Sequence, residues 1–85
     1  MLFKLKWEAL RTGTHLAELG TVRLEINLWG QVFLYAPDAK GGLSLRGYIA
    51  NAGPFTEAKE KAVELIFAEL SFAELIELSR YAQVE

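Results

Sequence analysis

The chain has no cysteine, which excludes disulfides, thiolate nucleophiles and zinc held by sulfur. Its one histidine, His15, cannot form a cluster of imidazole ligands, and no convergent set of metal ligands is visible around it. Charge of one sign is also lacking: 9 Lys and Arg against 11 Asp and Glu leave a formal net charge of −2. No basic field therefore draws the whole molecule to nucleic acid or anionic lipid. No apolar run approaches the ~20 residues that a membrane helix needs. Residues 1–7 carry lysines but no continuous apolar stretch of signal-peptide length. Together these absences predict a cytoplasmic protein without membrane contact.

Repeats, low-complexity tracts and linkers are missing as well, so the 85 residues are expected to form a single domain, 1–85. What is present in quantity is apolar side chain, at 52% of residues, with a mean hydropathy of +0.16. That is high for a small chain and predicts exposed apolar surface, which a two-fold dimer would cover.

Period-two alternation dominates the first half. Phe3, Leu5 and Trp7 alternate with Lys4, Lys6 and Glu8 as in a strand with one buried face. Residues 9–19 are ambiguous, with Thr12-Gly13-Thr14 interrupting any helix. From Thr21 to Leu28, Val22, Leu24, Ile26 and Leu28 then face one way and Arg23, Glu25 and Asn27 the other. Val32 and Leu34, then Leu43, Leu45 and Ile49, continue the pattern. Parity favours a three-residue turn at Leu28-Trp29-Gly30, pairing Ile26 with Val32 and Leu24 with Leu34. Pro37-Asp38-Ala39-Lys40-Gly41-Gly42 is the next turn, and an even-length loop there sets Leu34 opposite Leu45.

The second half has helical period. Ala58, Ala62, Val63, Leu65, Ile66, Phe67 and Leu70 share one face, with Thr56 as the expected N-cap. Phe72, Leu75, Ile76, Leu78 and Ala82 form a second stripe. On one straight helix at ~100° per residue it points almost opposite to the first. Ser71 and Glu74 have capping-box spacing, and Leu70 and Leu75 the spacing of a hydrophobic staple. Either the helix breaks at Ser71 and folds back, or it runs on and offers Phe72, Leu75, Leu78 and Ala82 to a second subunit. The expected fold is α+β: an antiparallel meander of three to four strands packed on one helix, followed by a second C-terminal helix.

Residues for catalysis are sparse. His15 reads as a solvent-exposed loop histidine with no nucleophile at a recognisable spacing. The carboxylates Glu57, Glu60 and Glu64 cluster with Lys61 on the polar arc of their helix. Gly41-Gly42 precedes a strand and lacks the Lys-Ser/Thr of a phosphate loop. No catalytic residue, cofactor or metal site is expected. If the alternating apolar residues face the helix, Arg23, Phe33, Tyr35, Arg46 and Tyr48 share the opposite side of the sheet, with Trp29 at a hairpin tip. Aromatics interleaved with arginines suit base stacking or a protein interface, and the alternative is that the N-terminal segment, the last helix or a second subunit covers this side; these six are the expected partner-binding residues.

The stretch Leu24-Glu25-Ile26 through Gly47-Tyr48-Ile49 to Thr56-Glu57-Ala58-Lys59 resembles small phage and prophage proteins built as a sheet plus one helix. That resemblance implies a protein-binding or regulatory module, of which an anti-CRISPR-like inhibitor of a host enzyme or defence complex is an instance. Tyr35-Ala36-Pro37-Asp38 and Thr56-Glu57-Ala58 are similar to HicB-type antitoxins, implying the alternative of a nucleic-acid-linked regulator such as an antitoxin-like dimer. Lys59 and Lys61 at the start of a helix resemble the double-stranded-RNA-binding domain. Here Glu57 and Glu60 interleave with them and would repel phosphate, so that resemblance implies the fold alone.

Overall fold

Alternation carries the chain through more strands than expected. The structure, a computed structural model, describes residues 5–81. One antiparallel sheet holds β1 (Glu8–Ala9), β2 (His15–Leu19), β3 (Val22–Ile26), β4 (Val32–Pro37) and β5 (Leu43–Ile49), neighbours in chain order. Helices α1 (Phe55–Glu69) and α2 (Phe72–Ser79) follow. The class is α+β as expected, with five strands rather than three or four.

The additional strand comes from the ambiguous segment. Residues 15–19 pair along β3, from His15 opposite Ile26 to Leu19 opposite Val22, so Ala17 and Leu19 join the buried face. A local turn precedes them, closed by Leu10 N–H donating to the Thr14 carbonyl at 2.8 Å. The N-terminal strand is shorter and later than the alternation implied: Leu5 and Trp7 pack on the core from outside it. Phe3 and Lys4 lie outside the described residues.

The β3–β4 hairpin has the expected register, Ile26 opposite Val32 and Leu24 opposite Leu34. Asn27 organises its turn: the Asn27 Oδ1 accepts from the Trp29 and Gln31 amides, both at 3.0 Å. Gly30 closes the turn with φ +74, and a β-carbon there would lie 2.8 Å from the Gly53 carbonyl oxygen. Only glycine meets both conditions without strain.

The β4–β5 pairing corrects the expected register. The loop between Pro37 and Leu43 holds an odd number of residues, and Asp38 Oδ1 caps it by accepting from the amides of Lys40 at 2.9 Å and Gly42 at 3.1 Å. A bulge then shifts the ladder between Leu34 and Tyr35, leaving Leu34 opposite Gly47 and Tyr35 opposite Leu45. The odd loop sets Leu43 and Leu45 on the outer face, and the extra residue at the bulge returns Gly47 and Ile49 to the core side. Leu45, expected in the core, is therefore 52% exposed. Gly47 takes the place beneath α1, where a β-carbon would sit 3.0 Å from Leu65 and Glu69 side-chain carbons.

Helix α1 starts at Phe55, with Pro54 rather than Thr56 at the N-cap and no side-chain cap hydrogen bond. It lays Ala58, Ala62, Leu65 and Ile66 on the inner sheet face, against Leu24, Ile26, Val32 and Leu34. The chain breaks at Leu70 and restarts from Ser71 with a complete capping box to Glu74. Helix α2 then crosses the sheet end. Its Glu74 meets Arg46 of β5, and Tyr81 just beyond it lies over Gly20 in the β2–β3 turn. The break turns the second stripe: Leu78 is 2% exposed and joins the core, while Phe72 is 68% and Ile76 51% exposed.

Candidate functional site

The sheet has one face under the helices and one that no described element covers. The pairing partners place Glu8, Leu16, Glu25, Phe33 and Tyr48 in one row across this outer face, and Glu18, Arg23, Tyr35 and Leu45 in the next. Leu43 follows at the end of β5 and is exposed. The face divides in two: carboxylates, Arg23 and Leu16 occupy β1–β3, and aromatic and leucine side chains occupy β4–β5.

The aromatic half is ordered by its own contacts. Phe33 and Tyr35, two residues apart on β4, hold their rings 6.5 Å apart and 20° from parallel. Phe33 meets Tyr48 across the strands at 5.1 Å and 42°. Cross-strand aromatic pairs of this kind stabilise a sheet by about 0.2–1 kcal/mol each. The Tyr48 hydroxyl accepts from Gln31 Nε2 at 2.9 Å, and Asn27 Nδ2 donates to Gln31 Oε1 at 2.6 Å. A chain of hydrogen bonds thus ties the aromatic face to the β3–β4 turn, where Trp29 projects with 77% of its surface exposed.

Four of the six expected partner-binding residues, Arg23, Phe33, Tyr35 and Tyr48, share this face. Trp29 stands at its end, on the turn. Arg46 does not belong to it. The register set by the odd loop turns Arg46 to the helix side, where Nη1 and Nη2 donate to Glu74 at 3.1 and 2.6 Å. Arg23 Nε, 3.8 Å from Glu25 Oε2, is solvent-inaccessible and has no hydrogen-bond partner. Leu16, Leu43 and Leu45 belong to the face and were not expected there; the odd loop length set by Asp38 was the signal for the last two.

Of the residues expected at a dimer interface, Leu78 lies in the core and Leu75 packs against it. Phe72 is exposed, and Ala82 lies outside the described residues. His15 is not an exposed loop residue. It sits half-buried in β2 with its ring stacked on Phe55, centroids 3.9 Å apart and 25° from parallel. Trp7 meets the same Phe55 edge-on at 5.9 Å, and Lys59 Nζ lies 5.0 Å from that ring's centre. A cleft of about 160 Å³ beside His15 is lined by Ile26, Leu28, Gly30 and Phe55 among others.

Among the described residues no group of three or more His, Cys, Asp or Glu is placed to hold a metal ion, and no helix is long and apolar enough to cross a membrane. No protein-family model matches the chain, and comparison with curated proteins and with solved structures finds no match.

Proposed function

We propose that this chain is a small non-catalytic binding module that docks on another protein through the outer face of its sheet. The observation that carries the reading is the uncovered aromatic half, where Phe33, Tyr35 and Tyr48 stand with Leu43 and Leu45. Large aromatics pre-ordered by packing lose little entropy on binding and supply most of the energy of protein interfaces. With the phage resemblance, the reading extends to a regulator or inhibitor of a cytoplasmic host enzyme or defence complex. Glu8, Glu18 and Glu25 outnumber Lys6 and Arg23 around the face and disfavour a phosphate-tracking groove. The expected homodimer through α2 is left with Phe72 and Ile76 as its contact, because the core already uses Leu78.

The test is affinity capture from host lysates with the native chain and with the Leu45→Thr/Tyr48→Thr variant, followed by identification of what is retained. A protein held by the native chain and lost with the variant supports the reading. Retention unaffected by the variant, or binding only to DNA or RNA at low salt, contradicts it.

A further inference from the structure

A concavity separate from the docking face lies where three segments of the chain meet at one end of the sheet. The β1–β2 turn, the β3–β4 turn and the residues leading into α1 close the cleft of about 160 Å³ beside His15. Ala52 N–H donates to the Gly30 carbonyl at 2.8 Å and ties two of these segments together. No lining residue is an acid, a lysine or an arginine. Ile26, Leu28, Pro54 and Phe55 supply apolar walls, three glycines supply backbone, and Asn27 and His15 bring the polar side chains. The absence of charge extends past the lining, since residues 26–37 and 47–56 contain no Asp, Glu, Lys or Arg. His15 pairs with Ile26 on the helix side of the sheet, so the cleft does not open on the aromatic face.

Its two polar side chains differ in what they have free. Asn27 is committed to its turn through both Oδ1 and Nδ2. His15 stacks on Phe55 but makes no hydrogen bond among the described residues, and its nitrogens are not sealed from solvent. A fixed water needs about two to four polar partners. One imidazole among apolar walls holds it poorly.

Size narrows the occupant. An apolar cavity of about 150 Å³ takes up benzene, so the cleft matches one six-membered ring and is too small for a fused-ring cofactor or an acyl chain. Charge narrows it further, because a phosphate, carboxylate or ammonium group would be desolvated beside no residue of fixed opposite charge. A sugar would leave most of its hydroxyls unpaired against a single imidazole. A neutral imidazole offers one donor and one acceptor, and one hydroxyl can meet either.

We propose that this cleft binds a small neutral phenol, with the ring against Ile26, Leu28 and Phe55 and the hydroxyl hydrogen-bonded to His15.

The test titrates the whole native chain with phenol, toluene and benzoate and follows amide, methyl and imidazole signals by NMR. Phenol is expected to shift His15, Ile26, Leu28 and Phe55 with millimolar affinity, and to bind at least about fivefold more tightly than toluene or benzoate. His15→Leu should abolish the advantage of phenol over toluene while toluene still binds. Leu28 is 69% exposed, so Leu28→Ala should leave the melting curve unchanged and weaken phenol by about fivefold through the lost wall. Should His15→Leu fail to fold, the Leu28→Ala variant and the comparison of the three probes on the native chain decide. No saturation at these four residues up to about 20 mM phenol, a footprint elsewhere, or equal binding of phenol and toluene overturns the site. Tighter binding of benzoate overturns the neutral phenol as its ligand.

Discussion

Arg46 Nη2 lies 2.6 Å from Glu74 Oε1, and this contact joins the edge strand of the sheet to the second helix. The same carboxylate oxygen accepts from the Ser71 amide at 2.9 Å, so Glu74 both closes its helix's capping box and holds β5. Hydrogen bonds from Arg46 and then from Ser71 favour the charged form and hold the Glu74 carboxyl down to about 2, from an ordinary value of 4.5. A carboxyl depressed by folding stabilises the native state above its unfolded value and loses that contribution as pH falls toward its folded one. Stability should therefore drop between pH 4.5 and about 2. Because the pair is partly exposed, Glu74→Gln should cost about 1 kcal/mol at neutral pH and little at pH 2. Urea melts at both pH values check this.

At the β3–β4 turn, Gly30→Ala is expected to destabilise by about 1–3 kcal/mol. The substitution adds a left-handed strain to a β-carbon pressed on the Gly53 carbonyl, which cannot swing away as a side chain would. Thermal melts of the variant against the native chain measure the loss.

The bulge in β5 gives a paired test of register. Ile66→Ala, beneath the sheet and fully buried, should cost about 2–5 kcal/mol. Leu45→Thr keeps a strand-forming residue on the exposed face and should cost less than about 1 kcal/mol. Equal large losses at both positions in urea denaturation would return Leu45 to the core.

Which features the sequence disclosed depends on how local their causes are. The core face of β3 and β4, the Leu28-Trp29-Gly30 turn and the break at Ser71 are set by parity and capping within a few residues, and the chain shows them directly. Strand β2 has no such signal. Residues 15–19 alternate too briefly to exclude a loop, and only pairing with β3 fixes them. The bulge is less visible still, because Gly47 is required by the approach of Leu65 from α1, a contact between residues far apart in the chain. The odd-length loop after Pro37 put Leu45 on the candidate site and took Arg46 off it, and the bulge returned Tyr48 to that face. His15 was misread for the same reason: its neighbour Phe55 is distant in sequence.

The division of α2 into an inward and an outward side separates folding from association. Leu78→Ala should cost about 2–5 kcal/mol, since the residue is 2% exposed. Phe72→Ser/Ile76→Ser should leave the melting curve within about 0.5 kcal/mol and convert a dimer to a monomer in sedimentation. A dimer that persists with both serines would remove α2 as its contact.

The central claim, that the outer face of the sheet is a docking surface, is tested most directly by methyl cross-saturation from a captured partner to the labelled chain. The leucine methyls of Leu16, Leu43 and Leu45 are expected to lose intensity, while those of Leu24, Leu34 and Ile66, beneath the sheet, do not. Saturation confined to Leu28, Ile76 or other methyls away from that face would contradict it.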